Sequence, residues 1–123
     1  MRSRRTPSRR PDQVAETVRQ AITDALARGE VRDPRVGLVT VTDVRVTGDL
    51  GHARVLVAIP GDEAERQRAL EGLRSAAGFL RTKAARTLTT RTVPELHFEL
   101  DRGLENAARI DALLGELKRG PAD

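Results

Sequence analysis

A chain of 123 residues, 38% of them hydrophobic and 33% charged, has room for one modest core and not for two. It contains no cysteine, which excludes disulfides, thiol nucleophiles and cysteine-held zinc or iron–sulfur sites; the only imidazoles, His52 and His97, fall on different predicted strands, so no histidine-rich metal site is expected. The net charge of +4 is unevenly placed, because Arg2, Arg4, Arg5, Arg9 and Arg10 give the first ten residues +5 and the other 17 basic and 18 acidic groups leave the body at −1.

Residues 1–10 mix arginine, serine, threonine and proline without apolar periodicity and read as a flexible arm. No apolar stretch follows the arginines and no run approaches about 18 apolar residues, so neither a signal peptide nor a membrane span is expected and the cytoplasm is the default location. From Pro11, the helical spacing of Val14, Val18, Ala21, Ile22, Ala25 and Leu26 predicts a first helix, with Gly29 as its C-terminal stop. Arg32 to Gly37 is a turn, since Pro34 keeps Asp33 out of helical geometry. Two strands follow, Leu38 to Val46 and His52 to Ile59, joined by Thr47 to Gly51. Val46 with Ala53 and Val44 with Val55 fit one register, whereas Val41 with Val57 and Val39 with Ile59 fit a register shifted by one residue. The apolar face therefore stays continuous only with a β-bulge near Thr42 and Asp43.

Asp62 and Glu65 have the spacing of a capping box and open the next helix. Its stripe of Leu70, Leu73, Ala77, Leu80 and Ala84 is interrupted at Gly78, which predicts a bend or two helices meeting at an angle. A third strand is predicted over Thr92 to Leu100, with Leu96, Phe98 and Leu100 inward and Pro94 near the strand start or a sheet edge. Ile110, Leu113, Leu114 and Leu117 mark a short C-terminal helix, and residues 119–123 read as a disordered tail. The expected architecture is α+β, in the order α-β-β-α-α-β plus that short helix, with the helices on one face of a three-stranded sheet and residues 11–118 as the folded body.

The stretch Leu73 to Thr92 holds Arg74, Arg81, Lys83, Arg86 and Arg91 and no acid. An ordinary solvated helix face would look the same. The small residues Ala76, Ala77 and Gly78 at the helix junction add something more specific, because they let a phosphate backbone approach the amides that open the following helix. Of the 22 basic residues 20 are arginine, which grips phosphate bidentately, although a coding bias toward arginine gives the same excess.

The order of elements is that of a type II KH domain, and the sequence resembles the ribosome-binding factor A family. The residues that carry the resemblance are Asp33-Pro34-Arg35-Val36-Gly37, the hairpin from Val44 through Val57, Ala76-Ala77-Gly78-Phe79-Leu80-Arg81, Val93-Pro94-Glu95-Leu96 and Ala108-Arg109-Ile110, which together span nearly the whole body. In this family an Ala-x-Gly kink stands where other KH domains have a Gly-x-x-Gly loop, and here it is Ala76-Ala77-Gly78. The resemblance implies binding to rRNA of the immature small ribosomal subunit, support of 5′-end maturation, a role in the cold, and no catalytic residues. Asp101-Arg102-Gly103 departs from the Asp-x-Ser found in many members, which bears on how the C-terminal segment is capped.

The expected RNA contacts are therefore Arg4, Arg5, Arg9 and Arg10 from the arm, then Arg74, Ala76, Ala77, Gly78, Arg81, Lys83, Arg86 and Arg91, with Arg35 either meeting RNA or bonding neighbouring carboxylates. The only aromatics, Phe79 and Phe98, fall where a core is expected, so base stacking is not foreseen and binding should rest on RNA shape and phosphates. Arg45 and Arg54 read as a solvent-facing pair and Asp49 as a turn residue. His52 and His97 read as surface or edge positions. No nucleophile elbow or phosphate-binding loop is present, so neither catalysis, nor a cofactor, nor a small-molecule substrate is expected. A monomer is expected. The alternative is a protein–protein interaction module steered by the basic arm, using the edge of the third strand or the C-terminal helix.

Overall fold

A computed structural model describes residues 10–103 and 111–117. The described elements run α1 (Pro11–Ala27), β1 (Thr40–Val46), β2 (His52–Ala58), α2 (Glu63–Ser75), α3 (Ala77–Ala85) and β3 (Glu95–Leu100), and residues 111–117 are helical. The predicted contacts Arg4, Arg5 and Arg9 and the tail lie outside the described residues, as does Ile110.

α1 begins with Pro11, whose missing N–H is one the first helical turn leaves unpaired anyway. It ends in a Schellman motif: the Glu30 N–H donates to the Ala25 carbonyl at 3.0 Å and the Gly29 N–H to Leu26 at 3.1 Å, with Gly29 at φ +69°. The hairpin carries the predicted bulge, because Val41 pairs with Val57 and Asp43 with Leu56, leaving Thr42 as the extra residue. Its turn is tied by the Asp49 carboxylate, which accepts from the Gly51 N–H at 2.9 Å and the Thr47 hydroxyl at 2.7 Å. β2 is the central strand, antiparallel to β1 and parallel to β3. A parallel neighbour requires a long crossover, and α2 and α3 supply it.

One face of the sheet is buried. Val44, Ala53, Val55, Val57, Leu96 and Phe98 point inward to meet Val14, Val18, Ile22 and Ala25 of α1, Leu70 and Leu73 of α2, and Leu80 and Ala84 of α3. His52, Arg54, Glu95 and His97 lie on the opposite, solvent face.

Three boundaries differ from the sequence expectation. β1 starts at Thr40 rather than Leu38, because its last partner is Ala58 and β2 stops short of Pro60; Leu38 is left exposed. β3 starts at Glu95 rather than Thr92, since Pro94 has no N–H and the first ladder bond is Glu95 N–H to Gly51 carbonyl at 2.9 Å. The break between α2 and α3 falls at Ala76, two residues before Gly78, which sits inside α3.

Of the two glycines flanking the kink, packing requires not Gly78 but Gly72. It is buried where α2 meets the 33–36 turn, and a Cβ there would stand 2.7 Å from Cγ2 of Val36 and 3.2 Å from Cβ of Arg35. Gly72→Ala is expected to lower stability by about 1–3 kcal/mol through overpacking, read as a lower urea midpoint at an unchanged slope.

Candidate nucleic-acid interface

The kink is built from the end of α2 inward. Its capping box is complete at the other end, where the Glu65 N–H donates to Asp62 and the Asp62 N–H to Glu65, each at 2.8 Å. At the C-terminal end, Ala76 takes φ −89°, ψ 1° and donates its N–H to the carbonyls of Gly72 and Leu73. Helical geometry resumes at Ala77, and no side chain caps the start of α3. Ala76 and Ala77 are half-buried and Gly78 is exposed. A Cβ on Gly78 would touch nothing within 4 Å, so nothing in the fold itself requires a glycine at this point. The junction is thus an open place where a backbone strand can approach a helix start.

The 33–37 turn braces this junction. The Asp33 carboxylate accepts from the Arg35 N–H at 2.9 Å and from the Arg35 guanidinium at 3.0 and 2.7 Å. That guanidinium also reaches Ser75 Oγ at 3.2 Å, one residue before the kink, and Glu71 at 3.8 Å. Arg35 thus bonds neighbouring carboxylates, beside the junction.

The other cations divide by what they meet. Arg74 donates to the Phe98 carbonyl at 3.1 Å, and Arg81 donates to the Val93 carbonyl at 3.2 and 2.8 Å. A carbonyl accepts a hydrogen bond without cancelling charge, so these bonds fix both guanidinium groups in position without pairing them to an acid. Glu95 donates its N–H to Gly51, just before β2, and Asp101 donates to Val57 in β2, so in a parallel ladder the carbonyl of Phe98 points to the open edge. Arg74 therefore covers the edge of β3 with a charge, which discourages strand addition there. Lys83 differs: Glu30 holds it at 3.0 Å and it lies 5.5 Å from the Phe79 ring centre. Arg10, Arg86 and Arg91 are exposed and make no side-chain hydrogen bond or ion pair with the described residues. Charge reversal at Arg81 or Lys83 thus disturbs folding contacts as well as any RNA contact, which the acid-free sequence pattern did not reveal.

Phe79 corrects an expectation. Phe98 is buried as predicted, but Phe79 is 44% exposed on the first turn of α3, beside the kink. The stripe Leu73, Ala77, Leu80 and Ala84 already excludes position 79 by its spacing, so its outward placement was readable.

The solvent face of the sheet is mostly self-paired. Arg45 bonds Asp43 at 2.9 Å and Arg54 bonds Glu99 at 3.0 and 2.8 Å, and both arginine side chains are exposed, as expected of a solvent-facing pair. Asp101 accepts from Thr42 Oγ1 at 2.6 Å and from the Gly103 N–H at 2.8 Å. The Asp101 carboxylate itself caps the backbone at Gly103. The two histidines are not apart, because their strands are neighbours: His52 Nδ1 and His97 Nε2 lie 3.0 Å from each other.

Two carboxylates make the fold sensitive to acid. Hydrogen bonds from Arg35, chiefly through its side chain, lower Asp33 from 3.8 to about 2, and a side-chain bond from Arg102, then one from Gln67, lowers Glu63 from 4.5 to about 2. Both titrate lower in the folded than in the unfolded chain, so the stability they lend is present above about pH 4.5 and lost as pH falls toward about 2. Asp33→Asn is expected to lower the melting temperature at neutral pH and to flatten its decline over that acid window, followed by circular dichroism.

The family model for ribosome-binding factor A matches residues 10–114. A ribosome-binding factor A from Thermomicrobium roseum is 47% identical over 113 residues, 92% of this chain and 87% of the relative. The crystal structure of ribosome-binding factor A from Thermus thermophilus superposes with a TM-score of 0.64 at 28% identity, covering 76% of this chain and 98% of that one. A Thermus thermophilus ribosome-binding factor A fitted into a cryo-electron-microscopy map of its 30S complex gives a TM-score of 0.51 at 31% identity, over 69% of this chain and 92% of that one. Sequence likeness along nine-tenths of the chain and a shared KH-like architecture lead to one conclusion: this chain belongs to the ribosome-binding factor A family.

Proposed function

We propose that this chain is a non-catalytic ribosome assembly factor, acting as a monomer in the cytoplasm, that binds rRNA of the immature small subunit and supports maturation of the rRNA 5′ end, including in the cold. The observation that carries the reading is the open kink at Ala76–Gly78, flanked by four arginines that make no ion pair among the described residues. Arg74 and Arg81 are held in place by carbonyls, Arg86 and Arg91 project freely, and Phe79 offers an exposed ring beside the helix start. A phosphate strand would lie along the arginines with its closest approach at Gly78, and one unpaired base would stack on Phe79. The arm with Arg4, Arg5, Arg9 and Arg10 would tether the protein to the RNA and order on contact. The Thermus thermophilus relative fitted into a 30S complex supports the small subunit as the partner.

The four kink-side arginines alone give a log–log slope of affinity against salt of about −3, and each arm arginine that engages a phosphate steepens it by about 0.7. Gly78→Ala separates binding from folding. Alanine is the better helix residue by about 0.5–1 kcal/mol and meets no atom of the protein, so the melting temperature should hold or rise. The added methyl should nevertheless obstruct the phosphate and weaken co-sedimentation with free small subunits by about tenfold, the loss of one charge-assisted contact. Undiminished co-sedimentation would remove the kink from the interface.

A second reading has one observation in its favour. The helical segment 111–117 presents Leu113, Leu114 and Leu117 to solvent, an apolar surface that a protein partner could cover. Affinity for such a partner would change little with salt, whereas rRNA affinity falls steeply.

A further inference from the structure

On the solvent face of the sheet, away from the helices, three potential metal ligands converge. His52 on β2 and Glu95 on β3 are paired across the parallel ladder, and His97, two residues along β3, shares their face. His52 Nδ1 and His97 Nε2 are 3.0 Å apart, and one oxygen of Glu95 lies 3.5 Å from the first and 3.6 Å from the second. All three ligand atoms fall within 4.8 Å of one another. Donors held at about 2.0–2.1 Å around a tetrahedral zinc ion stand roughly 3.3 Å apart, so this triangle already has the dimensions of one face of a zinc tetrahedron.

We propose that His52, Glu95 and His97 form a binding site for a divalent late transition metal, with zinc as its occupant and water in the remaining position. Two imidazoles and one carboxylate select such ions over magnesium and calcium, which favour all-oxygen shells. The carboxylate is available, because the nearby Arg54 is held by Glu99 at 2.8 Å and the ion-pair partners of Glu95 among the described residues are the two histidines. The side chains of His52, Glu95 and His97 are 55%, 63% and 45% exposed, which leaves the outer side of the ion to solvent. The ligands stand on two strands fixed in register, so binding needs no rearrangement of the backbone. One contributor lies 45 residues from another, so zinc would bind the folded chain in preference to the unfolded one and clamp β2 to β3.

The test is calorimetric titration of the full chain, without a histidine tag, with zinc chloride. The expected result is one zinc per chain with an affinity on the order of micromolar and a rise of several degrees in melting temperature at excess zinc. His52→Ala and His97→Ala should each weaken binding by at least about tenfold, and Glu95→Gln by a smaller factor. Nitrogen-15 NMR of the unsubstituted protein gives an independent readout, in which the resonances of His52 Nδ1 and His97 Nε2 should move on zinc addition. The proposal is overturned if zinc fails to bind, if the doubly substituted chain binds it equally well, or if both imidazoles keep their resonances at saturating zinc.

Discussion

Reversing Arg86 and Arg91 together, to Arg86→Glu and Arg91→Glu, is expected to cut affinity for the small subunit by about a hundredfold and leave the fold intact. Each charge-assisted contact with phosphate contributes about 1.5 kcal/mol or more, roughly tenfold, so two lost contacts multiply to that figure. The slope of log affinity against log salt should become shallower by about 1.5, the mark of two fewer phosphates engaged. Both side chains are exposed and bond no other described residue, so stability should stay within about 0.5 kcal/mol. The same experiment at Arg81 would be ambiguous, since Arg81 also ties α3 to the segment before β3 through the Val93 carbonyl. Filter binding to purified small subunits across a salt series, beside urea unfolding, separates the two effects. A hundredfold loss with an unchanged salt slope would point to something other than phosphate contact.

Phe98→Ala should have the largest effect on the fold itself. The ring is 1% exposed on β3 and packs beneath the crossover helices, so its removal leaves a cavity that rigid neighbours fill poorly. The expected cost is about 3–5 kcal/mol, against the 5–15 kcal/mol that typically holds a domain together. The urea midpoint should drop sharply or the chain should be unfolded at 37 °C. His97→Ala, one residue earlier and on the solvent face, should move the midpoint by a small fraction of that amount in zinc-free buffer. Equal effects at the two positions would contradict the assignment of inner and outer faces of β3.

Most of the fold was legible because apolar spacing and capping chemistry act locally. The bulge at Thr42 followed from two incompatible registers along one hairpin, and the capping box from a three-residue spacing. What the sequence concealed lies in contacts between distant segments. Arg74 and Arg81 belong to an acid-free helix pair on paper, yet their donors fasten to β3 and the segment just before it. Lys83 has no acid nearby in sequence, yet it is neutralised by Glu30 from the end of α1. The two histidines looked separate because they fall on different strands, and only the parallel pairing of β2 with β3 brings them within 3.0 Å. Gly72 and Gly78 are indistinguishable as letters, and it takes the packing of Val36 against α2 to show which one the fold requires.

The chain has no cysteine, so a single introduced thiol can carry a hydroxyl-radical source to one chosen place. Thr82→Cys puts it on exposed α3 beside the kink, and Ala58→Cys puts it on the solvent face of the sheet. Bound to small subunits, the probe at residue 82 should cleave a compact set of rRNA nucleotides and the probe at residue 58 should cleave few or none. Strong cleavage from residue 58 with silence at residue 82 would place the RNA on the opposite side of the molecule and contradict the kink as its binding site.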